Sequence, residues 1–212
     1  MLDGATEGGE AGEDSASPSA GSADVTGTLN GQALGVQSAF AGIASAPGTD
    51  AGSILYEAVI NLVSVASACS FYTLYPDQLV SVHDSQDLTL VVITDSPLTP
   101  GTYPIVVPNI VADTTLSALG AVALYSSSDG MCNGTAFEEA ASGTIRITTV
   151  TASQFTGTFD LVLGPPLANG VDTTHPDAVN GSFAAFLCPA FSDNLTGEVD
   201  GSTPSTDAGL CL

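Results

Sequence analysis

The residues of this 212-residue chain that could do chemistry are few. Histidine occurs only at His83 and His175. Nucleophilic catalysis needs a Ser or Cys beside a base and an acid. His83 is followed by Asp84 and His175 by Pro176, so both read as surface turn residues, and no G-x-S-x-G motif supplies a nucleophile. Metal chemistry is as thinly supported, with neither H-E-x-x-H nor a calcium-loop pattern present. Asp193, Glu198 and Asp200 share one Gly-containing loop and offer the hard oxygens that calcium takes, and they are weak calcium candidates. With 23 Asp and Glu in the chain, a solvated polar loop explains them as well. Neither a metal nor a cofactor is expected. Glu57, an acid inside an apolar run, is the best candidate for a carboxylate-dependent hydrolase, whose acids would have to converge in space. An edge position facing water is the simpler reading.

Charge narrows the partners. The chain carries one basic residue against 23 acids, a net charge of −22, although charged residues make up only 11% of it. The bases are missing; the acids are near ordinary abundance. Nucleic acid is excluded as a partner because counterion displacement needs several Lys or Arg. Electrostatic binding to an anionic membrane fails for the same reason. A protein, carbohydrate, cation or apolar ligand remains open, and the absence of Trp weakens sugar stacking.

Four cysteines, Cys69, Cys132, Cys188 and Cys211, form no C-x-x-C pair, so zinc-ribbon and thioredoxin readings lack support. Two disulfides in an oxidising, extracytoplasmic compartment are expected: periplasmic, outer-membrane surface or secreted. The favoured pairing is Cys188–Cys211 with Cys69–Cys132; the alternative is Cys69–Cys188 with Cys132–Cys211. Residues 1–24 form a Gly/Ala/Ser/Glu run without a positive n-region or an apolar h-region, which reads as a flexible, disordered acidic linker. A signal segment is expected upstream of Met1. Residues 54–74 are long enough for a membrane span, but Glu57, Asn61 and several Ser favour a buried strand followed by a turn or short helix.

These residues are positioned by elements that read almost entirely as strands. Asn30-Gly31 marks a hairpin between residues 25–34 and 34–44. Residues 53–66 are apolar at both parities, as in a strand covered on both faces. In residues 87–94, Leu88, Leu90 and Val92 share one face, with Asp87 and Thr89 on the other. Residues 99–108 carry Pro104 and Pro108, which places them at a sheet edge. Residues 119–127 form a further strand. "SGTIRITTV" (142–150), "TGTFDLVLG" (156–164) and "NGSFAAFLC" (180–188) read as meander strands, each entered through a glycine turn. Residues 189–212 read as a polar tail. The expected fold is all-β, a single antiparallel β-sandwich or partly closed β-barrel of about eight or nine strands over residues 25–212. N-glycosylation sequons at Asn133, Asn180 and Asn194 are explained by turn chemistry and chance.

The trio "SGTIRITTV…FTGTFDLVLG…VNGSFAAFLCP", together with "PGTYPI" (100–105) and "ACSFY" (68–72), resembles uncharacterised secreted lipoproteins of myxobacteria and related bacteria. The likeness spans residues 25–212 and rests on structural glycines and strand residues. It implies a signal peptide, a lipid-bearing cysteine and a small-residue linker like residues 1–24, hence a lipid anchor upstream of the linker. It implies no catalytic residues.

The lone cation, Arg146, lies between Ile145 and Ile147, which share the opposite face of the strand. Matching inward residues across the next hairpin puts Asp160 opposite Arg146 or one diagonal step away, so an Arg146–Asp160 pair is expected on the solvent face. The expected function is that of a non-enzymatic, envelope-tethered or secreted binding or structural module. One alternative is a barrel carrying a small apolar ligand in a cavity lined by Leu90, Val92, Phe159 and Leu161. The other is the carboxylate hydrolase around Glu57.

Overall fold

A computed structural model of the protein describes residues 21–48, 53–74, 80–106, 119–167, 170–197 and 210–211. Thirteen strands and two short helices follow one another among the described residues, and nine of the strands make one mixed sheet. The sheet closes on itself because two long strands each accept two partners in succession along one edge. β8 (Gly134–Val150) pairs with β7 (Gly120–Ser128) over its first part and with β6 (Gly101–Pro104) further on. Its other edge pairs with β9 (Gln154–Gly164). β12 (Asp177–Leu187) does the same with β1 (Ser22–Gly27) and then β2 (Ser38–Pro47), its other edge pairing with β9. From β2 the sheet continues through β3 (Ile54–Val63) and β5 (Gln86–Thr94) to β7. The circuit β12–β2–β3–β5–β7–β8–β9 thus returns to β12. All its ladders are antiparallel except β12–β2, where Phe186 and Leu187 run parallel to Phe40 and Ala41. That pairing departs from the wholly antiparallel sheet expected from the turn signals.

Side-chain alternation fills the inside of this barrel. Leu88, Leu90 and Val92 of β5, Ile60 and Leu62 of β3, and Phe159, Leu161 and Leu163 of β9 all join the inner core. Burying such a side chain contributes about 1.5–3 kcal/mol. The glycines of the recurrent trio act differently from the sequence expectation. Gly157 and Gly181 sit in mid-strand, not at turns. Gly157 faces Phe183 and Gly181 faces Phe159 in the β9–β12 ladder, so each phenyl ring lies over the opposite glycine. A Cβ on Gly157 would stand 2.6 Å from Phe183 Cζ, and one on Gly181 2.7 Å from Phe159 Cζ. The two reciprocal Gly–Phe pairs let the strands coil tightly at this point of the barrel.

One end of the barrel is stoppered. Asn30 and Gly31, both with positive φ (47° and 73°), make the expected turn. Its ladder is only the Leu29–Gln32 bridge, however, and its flanking strands do not pair with each other: β1 pairs with β12, and β2 with β3 and the far end of β12. The turn drives Leu29 and Leu34 into the core as a plug. β1 also begins inside the segment read as linker, with Ser22, Ala23 and Asp24 already paired to β12; the rest of that segment, residues 1–20, lies outside the described residues.

An outer layer covers β2, β3 and β5. It consists of α1 (Ala68–Leu74) and α2 (Pro189–Gly197). Phe40 from β2, Tyr72 from α1 and Phe191 from α2 stack with ring centroids 4.7–5.7 Å apart, over Val59, Val63, Val91 and Ile93. α2 corrects the expectation of an irregular polar tail: Phe191 and Leu195, four residues apart, give it just enough apolar face to dock. β4 (Val80–Ser81) pairs with β13 (Leu210–Cys211), which brings the end of the tail back to the domain. β10 (Pro166–Leu167) and β11 (Gly170–Val171) form a small separate hairpin. Among the described residues no helix is long and apolar enough to cross a membrane.

The cysteine pairing also differs from the favoured one. Cys69 of α1 is bonded to Cys188, with a Cα–Cα distance of 6.0 Å and a sequence separation of 119. Cys132 is disulfide-bonded as well. The bridges Cys69–Cys132 and Cys188–Cys211 are therefore not formed. The reason is geometric: α1 lies across β2 next to α2, and Cys188 closes β12 at the start of α2, so the bridge staples the outer layer to the barrel.

Candidate functional site

A cleft of about 270 Å³ opens on the outer face of the barrel beside α1. One wall is apolar and aromatic: Phe40, Val63, Ala68, Phe71 and Tyr72. The other is polar, formed by Ser85 to Asp87 at the start of β5, Ser126 to Ser128 at the end of β7, and the turn into β8. β-ladder register sets this opposition. Val63, Asp87 and Ser126 lie side by side across β3, β5 and β7, all on the outer face.

The polar wall is held rigid by its own hydrogen bonds. The Ser85 and Ser128 hydroxyls both donate to the carbonyl of Val82, at 2.7 and 2.6 Å, and lie 3.0 Å from each other. The Gln86 amide donates to Ser64 Oγ at 2.8 Å. Asp87 has far less support. Thr89 Oγ1 donates to Asn61 Oδ1 at 2.8 Å and lies only 3.4 Å from Asp87 Oδ1. A hydroxyl has one proton, and the shorter contact takes it. Burial therefore dominates at Asp87 and raises its pKa to about 7, with the Thr89 contact opposing weakly. Asp87 nonetheless keeps part of its surface accessible. Dense surroundings and partial exposure are compatible in a side chain on the floor of a concave site. No cation compensates it: the only Arg or Lys is Arg146, which is exposed on β8 and forms no ion pair with Asp87.

A second acidic site closes the plugged end of the barrel. The Asn30 amide donates to Glu138 Oε1 at 3.1 Å and to Asp177 Oδ2. Burial first, and then the charge of Asp177, raise the Glu138 pKa. Tyr125 lies fully buried nearby, and its phenol pKa is also raised, chiefly by burial. One oxygen of each carboxyl takes the same backbone amide of the plug, while Glu138 Oε2 is buried without a hydrogen-bond partner, so this constellation anchors the Leu29–Leu34 stopper.

The residues singled out from sequence fall elsewhere. His83 Nδ1 lies 3.4 Å from Asp84 in an exposed turn at the edge of the cleft, and His175 is engaged with Thr174 in another turn. Glu57 is half-buried on the outer face of β3 and has an interaction partner. Asp193 is exposed on α2 and also engaged, while Glu198 and Asp200 lie outside the described residues. Among the described residues no group of three His, Cys, Asp or Glu could hold a metal. Arg146 and Asp160 both point to solvent as expected, but Arg146 faces Thr158 and Asp160 faces Thr144. They stand one diagonal step apart, and no ion pair joins them. Long-chain entropy at an exposed site outweighs so small a Coulomb gain. Leu90, Val92, Phe159 and Leu161 are packed in the core, and none lines the cleft. Asn180, expected at a turn, is an exposed residue within β12.

Asp87 itself was placed by sequence on a polar face of β5. The signal that it would be covered was present: Val91 and Ile93 share its parity, and both are buried beneath the helices. Fold and site together define an all-β barrel with a helical outer layer and an acid-floored surface cleft. No family model matches the chain, and neither the curated proteins nor the solved structures contain a match to it.

Proposed function

We propose that this protein is a non-enzymatic, extracytoplasmic binding module that takes a small ligand in the cleft between α1 and the polar ends of β5 and β7. The observation that carries this reading is the cleft itself, a concave site with one aromatic wall and one polar wall beside a barrel whose inner residues are packed. The packing of Leu90, Val92, Phe159 and Leu161 speaks against a carrier with an internal apolar cavity. The hydrolase alternative is weakened because Glu57 lies outside the cleft lining, where Asp87 is the single carboxylate among the described residues. The Cys69–Cys188 bridge fits an oxidising compartment. Secretion or envelope tethering through an upstream lipid anchor follows from the likeness of residues 25–212 to secreted lipoproteins and from the acidic run that precedes them. The test is a fragment screen read by backbone amide shifts. Hits of any charge should move Phe71, Tyr72, Asp87, Ser126 and Gly134 together. Shifts scattered over the surface, or none from any fragment, would remove the cleft as a binding site.

A further inference from the structure

The cleft also specifies the chemistry of its occupant. Resting on the binding reading above, we infer that it takes a small organic monoamine with an apolar body, the ammonium group meeting Asp87 and the body lying against Phe71 and Tyr72. The first argument is complementarity within the cleft. Asp87 lines it opposite an aromatic wall, and a cation beside both a carboxylate and ring faces gains from each.

The second argument is the missing counterion. In an ordinary chain a carboxylate this deeply set is paired with Lys or Arg. Here the chain has one such residue, and it is exposed on another part of the barrel. The Thr89 hydroxyl is already given to Asn61. A positive charge that completes the ionised site comes from outside, and the −22 net charge draws cations towards it. Size fits as well: a cavity of about 150 Å³ accommodates benzene, so about 270 Å³ has room for one ring with a short aminoalkyl arm.

Titration sharpens the expectation. With the Asp87 pKa raised to about 7 by burial, the free site is mostly protonated below that pH and mostly ionised above it. A protonated carboxyl offers an ammonium group nothing, so binding should strengthen as pH rises. The titratable and charged groups around Asp87 come from each neighbouring element. Among the described residues they are Tyr72 on α1, His83 and Asp84 in the turn before β5, Asp129 in the turn after β7, and Glu139 further along the outer face on β8. Of these His83 turns towards Asp84. A His83→Gln variant separates its contribution.

The experiment is an NMR titration of the whole protein with phenethylamine and with the neutral isostere 2-phenylethanol. The protein is taken as wild type, Asp87→Asn and His83→Gln. Phenethylamine should bind the cleft about tenfold or more tightly than the alcohol at pH 8. Its affinity for wild type should fall about tenfold between pH 8 and pH 6. Asp87→Asn should remove both the preference and the pH dependence, and His83→Gln should retain them. Equal binding of amine and alcohol, or an amine affinity indifferent to Asp87→Asn, would overturn the cation inference and leave the cleft reading standing. If neither probe shifts the cleft while neutral or anionic fragments do, the cation inference again fails alone. If no fragment shifts it, both readings fail.

Discussion

Replacing Asp87 by Asn removes the charge and leaves the shape, and its effect on stability can be worked out from the structure. In the unfolded chain an aspartate ionises at about 3.9. In the fold, burial moves Asp87 to about 7. As pH rises from acid, the unfolded state therefore releases this proton first, and each pH unit between the two values costs the fold about 1.4 kcal/mol. The deficit is absent below about pH 4 and complete above about pH 7. Three units give at most about 4 kcal/mol, and water at the mouth of the cleft reduces this to about 2–3 kcal/mol. Asparagine keeps an oxygen facing Thr89 and carries no charge at any pH. Urea denaturation at pH 4, 6 and 8 should show Asp87→Asn within about 0.5 kcal/mol of wild type at pH 4 and about 2–3 kcal/mol more stable at pH 8. Parallel stability curves for the two proteins would refute the placement of an ionisable Asp87 in a desolvated cleft.

Two further outcomes follow from the packing. Gly157→Val would bring a side chain to 2.3 Å from the Arg146 carbonyl and against the Phe183 ring, and should lower stability by about 3 kcal/mol in the same assay. An unchanged urea midpoint would show that the Gly–Phe pairs do not set the coiling of β9 on β12. Glu138→Gln keeps the acceptor for the Asn30 amide and removes a carboxyl whose pKa is raised. In wild type the fold loses stability as pH rises and this buried carboxyl ionises, so the variant should be about 1 kcal/mol more stable at pH 8 and no more stable at pH 4. A loss of stability at pH 8 would contradict it.

Much of the barrel was legible in the strand residues. Leu88, Leu90 and Val92 alternate with polar neighbours, and the doubly apolar 58–63 run marks a strand with both faces covered. The order "SGTIRITTV", "TGTFDLVLG", "NGSFAAFLC" gave the β8–β9–β12 meander correctly. What failed depended on distant partners. Asn30-Gly31 specifies a turn but says nothing of where the strands beyond it go, and β1 and β2 separate at once. Gly157 and Gly181 look like turn residues beside Thr and Ser, and only the register with Phe183 and Phe159 shows them as bends. α2 escaped because Phe191 and Leu195 are too few to show a period over two turns. The disulfide pairing needed the helices in place. At the site, Asp87 was visible as an acid on β5, and its covering was visible in Val91 and Ile93, but the depth of the cleft depends on α1 and the β7–β8 turn, which lie 13 or more residues away from it in sequence.

Asp87 bears more of the cleft's chemistry than any other group, and its titration can be followed atom by atom. Carbon-13 NMR of the Asp87 carboxyl, assigned by comparison with Asp87→Asn, gives its midpoint in the free protein and in the presence of saturating phenethylamine. The expected result is a midpoint near 7 in the free protein, moving clearly lower when the amine is bound because the ammonium group favours the ionised form. A midpoint of about 4, the ordinary carboxylate value, unmoved by the amine, would contradict both the desolvated cleft and the cation it is proposed to hold.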